Sequence, residues 1–507
     1  MIEFVMKNDS IKAGVLISYV SILVNIGISL LYTPWMINEI GQSNYGIYSL
    51  IVSFISYFLL DLGLGSAISR FIAKYRAEND ESQIKEMISV AYTVFMCLSV
   101  AISLILVILY FFLSDVFVKL TASELLVLKE AYLIAGLFSV LNFVLKPVDG
   151  IMMASEYFVR LKTLDMLQRL GTVTLIGLVL FCGGGLYELV FINGIVALCV
   201  SLVKWRYTVR HSHIYVRIGY FNKTMARSLF SFSSWMLVIG IAQRLRLSLL
   251  PSVLGVLSGS VEIALFAAAM NLEGLVYNFA NALNGLFMPK VSRMATKNKD
   301  RTEITKLMIK VGRYQLFIIG FIIMIFGGLG NFFINLWLGE SFHKTYYVAM
   351  LLILPNIVSM TQQIATTLSY VENEVRYNSV ISISCSILSF VVAILLSSKY
   401  GAIGCGMAVC LSSVVSLVML NLFYKNILLL DIKQFFKNCH GKILPVIAPI
   451  FFGLVYTAQS IGILSWISLF LWAGVFTIVY FSAVYILLFN SEEKAMIKII
   501  INKFYNK

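Results

Sequence analysis

The sequence predicts an all-α polytopic membrane protein with about fourteen transmembrane helices. Of its 507 residues, 60% are hydrophobic and only 13% are charged, which is far too apolar for a soluble protein of this length. The apolar residues form runs of about 20 residues, the length that an α-helix needs to cross a bilayer. Basic residues collect in every second connection between these runs, as the positive-inside rule predicts.

Hydropathy defines the spans and, with the basic residues, their orientation. In chain order the predicted spans cover residues 13–33, 45–73, 87–113, 125–150, 161–182, 186–209, 228–257, 260–289, 307–333, 345–371, 377–398, 400–424, 443–461 and 463–489. With the N-terminus inside, 33 of the 39 Lys and Arg residues fall in inner segments, and only Lys119, Lys344 and Lys399 fall in outer ones. We therefore expect a multi-pass protein of the cytoplasmic membrane with both termini in the cytoplasm. The basic residues behind the net charge of +14 then lie in the short inner loops, where they contact anionic lipid head groups, and no nucleic-acid partner is expected.

The second span carries an aspartate near its middle. Asp61 lies 16 residues after Tyr45, too far from either end to reach water by snorkelling, so it must face other helices or a wet cavity. A helix places Gly65 and Ile68 beside Asp61, whereas Arg70 falls on the opposite side. We expect the Asp61 side to line a polar lumen and the opposite, small-residue side to pack closely against other helices.

The seventh span contains two arginines near its middle, Arg244 and Arg246. An unpaired charge at this depth is expensive, so intramembrane charges predict function, and guanidinium suits phosphate through paired hydrogen bonds. Two residues correspond to about 200° on a helix, so both can face one lumen only where the helix bends or unwinds near Pro251. The alternative is a salt bridge that locks helices together.

The eighth span has two polar stripes, one with Asn271 and Asn278 and the other with Glu273. The asparagines are candidate substrate contacts. Glu273 could pair with Arg246 or could bind a proton or sodium ion during transport, a role for which Asp61 is also a candidate. Pairing and ion coupling are equally compatible with the sequence.

Three further charged residues lie in the predicted spans, and one of them, Arg70, lies near an inner end. Arg70 could receive an anionic head group from the cytosol or could anchor its helix at the interface. Asp165 and Arg169 are four residues apart on one helix face, which favours a structural pair.

The loops exclude most enzyme classes. No stretch between spans exceeds about 20 residues, which leaves no room for a soluble nucleotide-binding domain. The chain has neither a GxxxxGK[ST] nor an HExxH motif, and its seven cysteines form no CxxC pair. We expect no catalytic residue, no metal site and no cofactor. The driving force is expected from a proton or sodium gradient or from the gradient of the substrate.

The segment Gly41–Tyr75 resembles the signature of the polysaccharide-biosynthesis branch of the multidrug/oligosaccharidyl-lipid/polysaccharide exporter superfamily. That branch has glycines and tyrosines where the second helix begins and an Asp, Gly, Gly, Arg, Phe pattern where it ends. The matching positions are Gly41, Tyr45, Gly46, Tyr48, Asp61, Gly63, Gly65, Arg70 and Phe71. The stretch Gly259–Met294 and the helix count also resemble the family. The resemblance implies two six-helix bundles around a central cavity, with two further C-terminal helices.

An internal match supports two halves independently of the resemblance. Residues 45–49 can be laid over residues 263–267, where the second and eighth spans begin. We expect an N-terminal six-helix bundle over residues 1–210 and a cytoplasmic connector over 211–227. The C-terminal bundle then covers 228–426, and residues 427–507 hold helices 13 and 14 with a cytoplasmic tail.

The resemblance also implies a function that the residues alone do not give. It implies a flippase for undecaprenyl-diphosphate-linked oligosaccharides in the biosynthesis of O-antigen, capsule or exopolysaccharide, with polysaccharide polymerase and assembly proteins as partners. A peptidoglycan-precursor flippase and an ion-coupled drug or solute antiporter of the same fold remain alternatives. A membrane polysaccharide polymerase or ligase is the alternative from another class, although short outer loops with few ionisable residues argue against an enzyme.

Overall fold

The computed structural model describes residues 26–58, 64–155, 157–212, 219–281, 287–297, 301–372, 374–462, 465–489 and Lys494. Within these ranges the chain is helical and contains no β-strand. In the first half the helices are α1 (26–40), α2 (Gln42–Phe58), α3 (Leu64–Ala77), α4 (Glu81–Val116), α5 (Ala122–Leu145), α6 (Pro147–Ala154), α7 (Phe158–Phe181), α8 (Leu186–Ser212), α9 (Lys223–Gln243), α10 (Leu250–Leu257) and α11 (Ser260–Asn281). They continue with α12 (Met288–Lys297), α13 (Thr302–Leu338), α14 (His343–Ile353), α15 (Asn356–Ser359), α16 (Gln363–Val371), α17 (Val375–Asn426), α18 (Ile432–Asn438), α19 (His440–Ile461) and α20 (Trp466–Ala483).

Ten helical segments of the described chain are long and apolar enough to cross a membrane. They overlap predicted spans three to six and eight to fourteen, because α17 is a 52-residue run that covers two of them. Gly401 divides this run with φ 55° and ψ −133°, outside the helical region. The polytopic all-α class is therefore confirmed, and the count of fourteen stays a prediction.

The chain divides into two compact units. Unit 1 comprises residues 1–268 and 382–409, and unit 2 comprises residues 269–381 and 410–507. Unit 1 thus contains α2 to α10, the beginning of α11 and the central part of α17. Unit 2 contains α12 to α16 and α18 to α20.

The core of unit 1 forms where α3 packs against α4 and α6. Ile68 of α3 is 0% exposed, and a Cβ added to Gly150 of α6 would lie 2.6 Å from the carbonyl oxygen of Gly65. The two helices therefore touch along the Gly65 and Ile68 side, whereas Arg70 on the other side is exposed. The faces predicted for the second span are wrong in this part, because the apolar side of α3 packs into the core. Asp61 itself lies outside the described residues.

A polar contact joins α2, α5 and α11 at ends that the predicted topology places outside. The Glu124 carboxylate accepts hydrogen bonds from the hydroxyls of Ser43 and Ser260, the latter at 2.6 Å, and the two hydroxyls lie 2.9 Å apart. Glu124 also accepts a hydrogen bond from the Thr121 backbone N–H at 2.8 Å, in the capping box that begins α5.

The bend in α17 is tied to α11 within the same unit. The Glu262 carboxylate accepts a hydrogen bond from the Ala402 backbone N–H at 2.7 Å. The bend occurs at glycine because its positive φ is costly for a residue with a Cβ. Nearby, the Ser258 hydroxyl donates to the Ser397 carbonyl oxygen at 2.9 Å, so the two sides of the bend are held separately.

Unit 2 is built around the long helix α13, which packs against α14, α18, α19 and α20. Arg313 of α13 is buried and donates hydrogen bonds to the carbonyl oxygens of Leu488, at 2.7 Å, and Asn438, at 3.4 Å. Asn438 is the last residue of α18, and Leu488 is the last residue of a π-helical turn, Val484–Leu488, that follows α20. A cation at a helix C-terminus satisfies the last carbonyls and complements the helix dipole. Tyr480 of α20 also donates to the Phe317 carbonyl oxygen at 2.7 Å. Polar bonds to the backbone therefore connect the last helices to α13.

Candidate functional site

The two predicted intramembrane arginines lie on a π-helical turn, Arg244–Ser248, between α9 and α10. The Leu249 N–H donates to the Arg244 carbonyl oxygen at 3.0 Å, a bond that spans five residues where an α-helix spans four. Arg244 and Arg246 are both half-buried. The segment predicted as the seventh span therefore leaves α-helical geometry at the arginines, as expected if both are to face one lumen.

Pro251 gives a local reason for this turn. Proline has no N–H for the carbonyl four residues earlier, and its ring crowds that carbonyl, so the preceding helix must relax. Here Pro251 occupies the first turn of α10, where a proline is tolerated. The π turn packs against α2, the helix that carries part of the family-like signature. π turns within α-helices are frequent at functional sites.

A second charged centre in unit 1 was not predicted. The ammonium of Lys204 on α8 lies 2.9 Å from Oδ1 of Asp149 on α6 and 2.8 Å from Oδ1 of Asp165 on α7. The Lys204 side chain is only 8% exposed. Lys146 and Lys162 approach the second oxygens of the two carboxylates at 3.8 and 3.9 Å. One buried lysine therefore joins three helices through two ion pairs.

This centre corrects the pairing expected for Asp165. The sequence spacing favoured Arg169 as its partner, but Asp165 bonds to Lys204, and Arg169 donates to the Ser29 hydroxyl at 3.5 Å. A partner on another helix wins because Lys204 is buried and its charge must be compensated.

The Lys204 centre lines a cavity of about 350 Å³ within unit 1. Its walls come from α2, α5, α6, α7 and α8. Amide and hydroxyl side chains line it beyond the charged centre: Ser139, Asn142, Gln168, Asn193 and Ser201. Polar walls of this kind inside a membrane-spanning bundle are rare unless they serve a ligand, an ion or a water path.

Unit 2 places Glu273 beside a buried amide. Asn356 Nδ2 donates to Glu273 Oε1 at 3.2 Å, and the Ser359 hydroxyl donates to Asn356 Oδ1 at 3.3 Å. Asn271, on the same helix, is exposed. The structure describes Asn278 only as part of α11, and its side chain lies outside the described set.

The comparisons with known proteins decide the family. Residues 11–295, more than half of the chain, match the family described as "Polysaccharide biosynthesis protein". This chain is a member of the polysaccharide biosynthesis protein family. The resemblance seen in residues 41–75 is thereby confirmed. A relative from Bacillus subtilis (strain 168), named "Uncharacterized membrane protein EpsK", is 22% identical over 510 residues, which cover 94% of this chain and 95% of the relative.

Two solved structures similar to this polysaccharide biosynthesis family member are a lipid flippase and a multidrug transporter. The lipid II flippase MurJ, in an inward closed conformation, gives a TM-score of 0.69 at 14% identity and covers 92% of this chain and 98% of its own. A multidrug resistance MATE family transporter of the MOP superfamily, inward-facing, gives 0.60 at 14% identity, over 77% and 95% of the two chains. These likenesses show a shared fold.

Sequence reasoning missed Lys204 and Glu124 in this family member. Lys204 lies inside the predicted sixth span, 186–209, yet it counted only as one of the basic residues of an inner segment. Its position inside a span, with two aspartates in neighbouring spans, was the available signal. Glu124 lies just before its span, where the sequence shows a capping box and no contact to other helices.

Proposed function

We propose that this chain is a flippase that moves undecaprenyl-diphosphate-linked oligosaccharide units across the cytoplasmic membrane by alternating access. The product would supply cell-surface polysaccharide synthesis, such as that of O-antigen, capsule or exopolysaccharide. Family membership and the fold shared with a lipid II flippase support transport of a lipid-linked glycan. The observation that carries the proposal is the π turn that holds Arg244 and Arg246 within the predicted seventh span, 228–257.

Two guanidinium groups on one irregular turn suit a diphosphate. Guanidinium donates paired hydrogen bonds to phosphate oxygens and is always charged, and a charge-assisted bond is strong in a water-poor site. In the proposed cycle Arg244 and Arg246 hold the diphosphate while the polyprenyl tail stays in lipid. Arg70, exposed on α3 toward the predicted inner side, would receive the head group from the cytosol.

Alternating access requires contacts that break when the cavity opens to the other side of the membrane. The hydrogen bonds among Ser43, Glu124 and Ser260 join helices at their predicted outer ends, and they would have to open for release outside. Glu273 and Asp61 are the proposed groups for coupling to a proton or sodium gradient. A polysaccharide polymerase and assembly proteins would take the product at the outer surface.

The fold shared with MurJ keeps a peptidoglycan-precursor flippase as the second candidate, since the same diphosphate chemistry would serve it. A drug antiporter of the fold shared with the MATE transporter is less compatible with the sequence. A cavity for cationic drugs favours carboxylates, and here the π turn brings two cations. Synthesis of a glycosidic bond by the purified protein would identify a polymerase or ligase instead.

The test is head-group accessibility of a fluorescent undecaprenyl-diphosphate oligosaccharide in proteoliposomes. We expect flipping by the wild type and a loss of at least about tenfold in Arg244→Ala and Arg246→Ala, which corresponds to one charge-assisted hydrogen bond. Arg206→Ala removes an exposed cation from α8 and serves as the matched control. Unchanged flipping after loss of both arginines places the phosphate site elsewhere. Absence of flipping by folded wild-type protein rejects the flippase.

A further inference from the structure

We propose that the cavity of unit 1 binds an uncharged, hydroxyl-rich group, the sugar portion of the transported lipid. In this cavity the ammonium of Lys204 takes the place that a bound cation would have between the two carboxylates. The inference rests on the proposed function, because it assigns a place to part of that substrate. It concerns a different site from the arginine turn. The cavity lies within the part of the chain that the structure describes, and its walls come from five helices.

The size and lining of the cavity suit a small polar ligand. Its volume of about 350 Å³ is at the lower end of the range for ligand pockets. Such a volume takes about one or two sugar rings. Sugars need many donors and acceptors at short spacing, and the wall supplies amides, hydroxyls, carboxylates and ammonium groups together.

Lys204 argues against a free metal cation in this cavity. Asp149 and Asp165 would be good ligands for sodium, but each already bonds to the Lys204 ammonium at 2.9 and 2.8 Å. A free cation would have to displace a tethered charge and leave that ammonium buried. The carboxylate oxygens that do not bond to Lys204 can still accept hydrogen bonds from hydroxyl groups.

The same carboxylates argue against an anionic ligand. Asp149 and Asp165 line the cavity along with Lys146 and Lys204, so the charges on its wall balance. An anion bound here would meet two carboxylates as well as two ammonium groups, so the balanced charge of the wall gives it no net attraction. A neutral group with hydroxyls needs no such attraction.

The amides keep capacity for a ligand. Asn142 Oδ1 accepts from the Ser201 hydroxyl at 3.1 Å, and Asn142 Nδ2 donates to the Phe138 carbonyl oxygen at 2.9 Å. A primary amide has two N–H donors and two lone pairs, so these bonds use half of them. Asn193 Nδ2 likewise reaches the Tyr48 hydroxyl at 3.3 Å, which orients its carbonyl oxygen. The wall is therefore fixed in place before a ligand arrives.

The first test measures binding directly in the full chain in detergent. The unfolding temperature is followed against a panel of free sugars, including glucose, galactose and N-acetylglucosamine, with sorbitol as a solute control for preferential exclusion. We expect a saturable rise for at least one sugar in the wild type and in Thr174→Leu, an exposed position on α7. Asn142→Leu should weaken that binding about tenfold or more. No saturable rise for any sugar overturns the proposal.

Sodium supplies the opposing arm of the same experiment. We expect any stabilisation of the wild type by sodium chloride over choline chloride to be unchanged in Asp165→Asn, because Glu273 and Asp61, and not Asp165, are the proposed sodium-coupling groups. Sodium should stabilise Lys204→Met more than the wild type, since the carboxylate pair there has lost its ammonium. Stabilisation of the wild type by sodium that Asp165→Asn abolishes identifies a cation site in this cavity and rejects the sugar site. If Lys204→Met does not fold, the Asn142→Leu comparison still decides.

A transport arm separates this inference from the proposed function. Undecaprenyl diphosphate with and without its glycan is compared in proteoliposomes. We expect Asn142→Leu to slow the glycosylated lipid about tenfold relative to the unglycosylated one, and Arg244→Ala to slow both. Equal rates for wild type and Asn142→Leu on the glycosylated lipid reject the sugar site and leave the flippase standing. If the wild type moves neither lipid, the flippase fails, and the sugar titration still decides the cavity.

Discussion

Gly46 on α2 meets Ser260 at the start of α11 backbone to backbone: a Cβ at position 46 would lie 2.1 Å from the Ser260 carbonyl oxygen. Real Cβ atoms do not approach this closely, so glycine is required for the contact. In the predicted topology both helices begin on the outer side. The contact, with the Glu124 hydrogen bonds beside it, therefore closes two helices together at one surface of unit 1.

The first prediction tests this contact with alanine. Alanine favours a helix over glycine by about 1 kcal/mol, so Gly46→Ala should stabilise the protein if the contact were absent. We expect it instead to lower the unfolding temperature, because overpacking costs about 1–3 kcal/mol. Gly274→Ala in α11, where the added Cβ has open space, is the control and should not lower it. A stabilised Gly46→Ala protein would contradict the close approach.

The second prediction uses the hydroxyls of Ser43 and Ser260, whose oxygens are 2.9 Å apart. In a chain whose seven free cysteines are replaced, Ser43→Cys with Ser260→Cys should form a disulfide on mild oxidation. If release requires these helices to part, the bond should stop flipping, and dithiothreitol should restore it. The two single-cysteine proteins are controls. Full flipping by the cross-linked protein would rule out opening at this contact.

The third prediction concerns the bend in α17. Gly401 has φ 55°, and a Cβ there would lie 2.3 Å from the Glu262 carboxylate. We expect Gly401→Ala to cost more stability than Gly462→Ala, because Gly462 has a similar φ of 67° but open space around its missing Cβ. The difference in unfolding temperature reports the clash together with the difference in backbone strain, since ψ is −133° at Gly401 and 94° at Gly462. Equal losses of stability in the two variants would show that the Glu262 side chain moves aside at little cost.

The fourth prediction concerns Arg313. Arg313→Met removes the donor to the Leu488 carbonyl oxygen in a buried site, and a hydrogen bond to a charged group is worth about 1.5–3 kcal/mol. We expect a clear fall in unfolding temperature. Lys310→Met, an exposed change one turn earlier on α13, should have little effect. Similar results for the two variants would argue that Arg313 is not structural.

The fold class and the departure from α-helical geometry near Pro251 could be predicted from the sequence, because composition and proline chemistry are local properties. The position of Arg244 and Arg246 within the membrane stays a prediction. The sequence predicted the faces of the second span wrongly at Gly65 and Ile68. Which side of an apolar helix packs inward depends on its neighbours, here α4 and α6. The Lys204 centre was not predicted for the same reason. Lys204, Asp149 and Asp165 come from three helices, and the spacing of residues along the sequence does not show which helices are neighbours.

The hydrogen bond from Arg313 to the Leu488 carbonyl oxygen also bears on whether the C-terminal helices could be removed. The predicted thirteenth and fourteenth spans, residues 443–461 and 463–489, stand outside the duplicated halves in the sequence. That position suggests that the rest of the chain folds without them. In the structure, Leu488 in the fourteenth span and Asn438 just before the thirteenth supply backbone acceptors for the buried guanidinium of Arg313 on α13. A chain that ends after α17 would lack both of these acceptors for a buried cation. We therefore expect the C-terminal helices to be needed for the folding of unit 2.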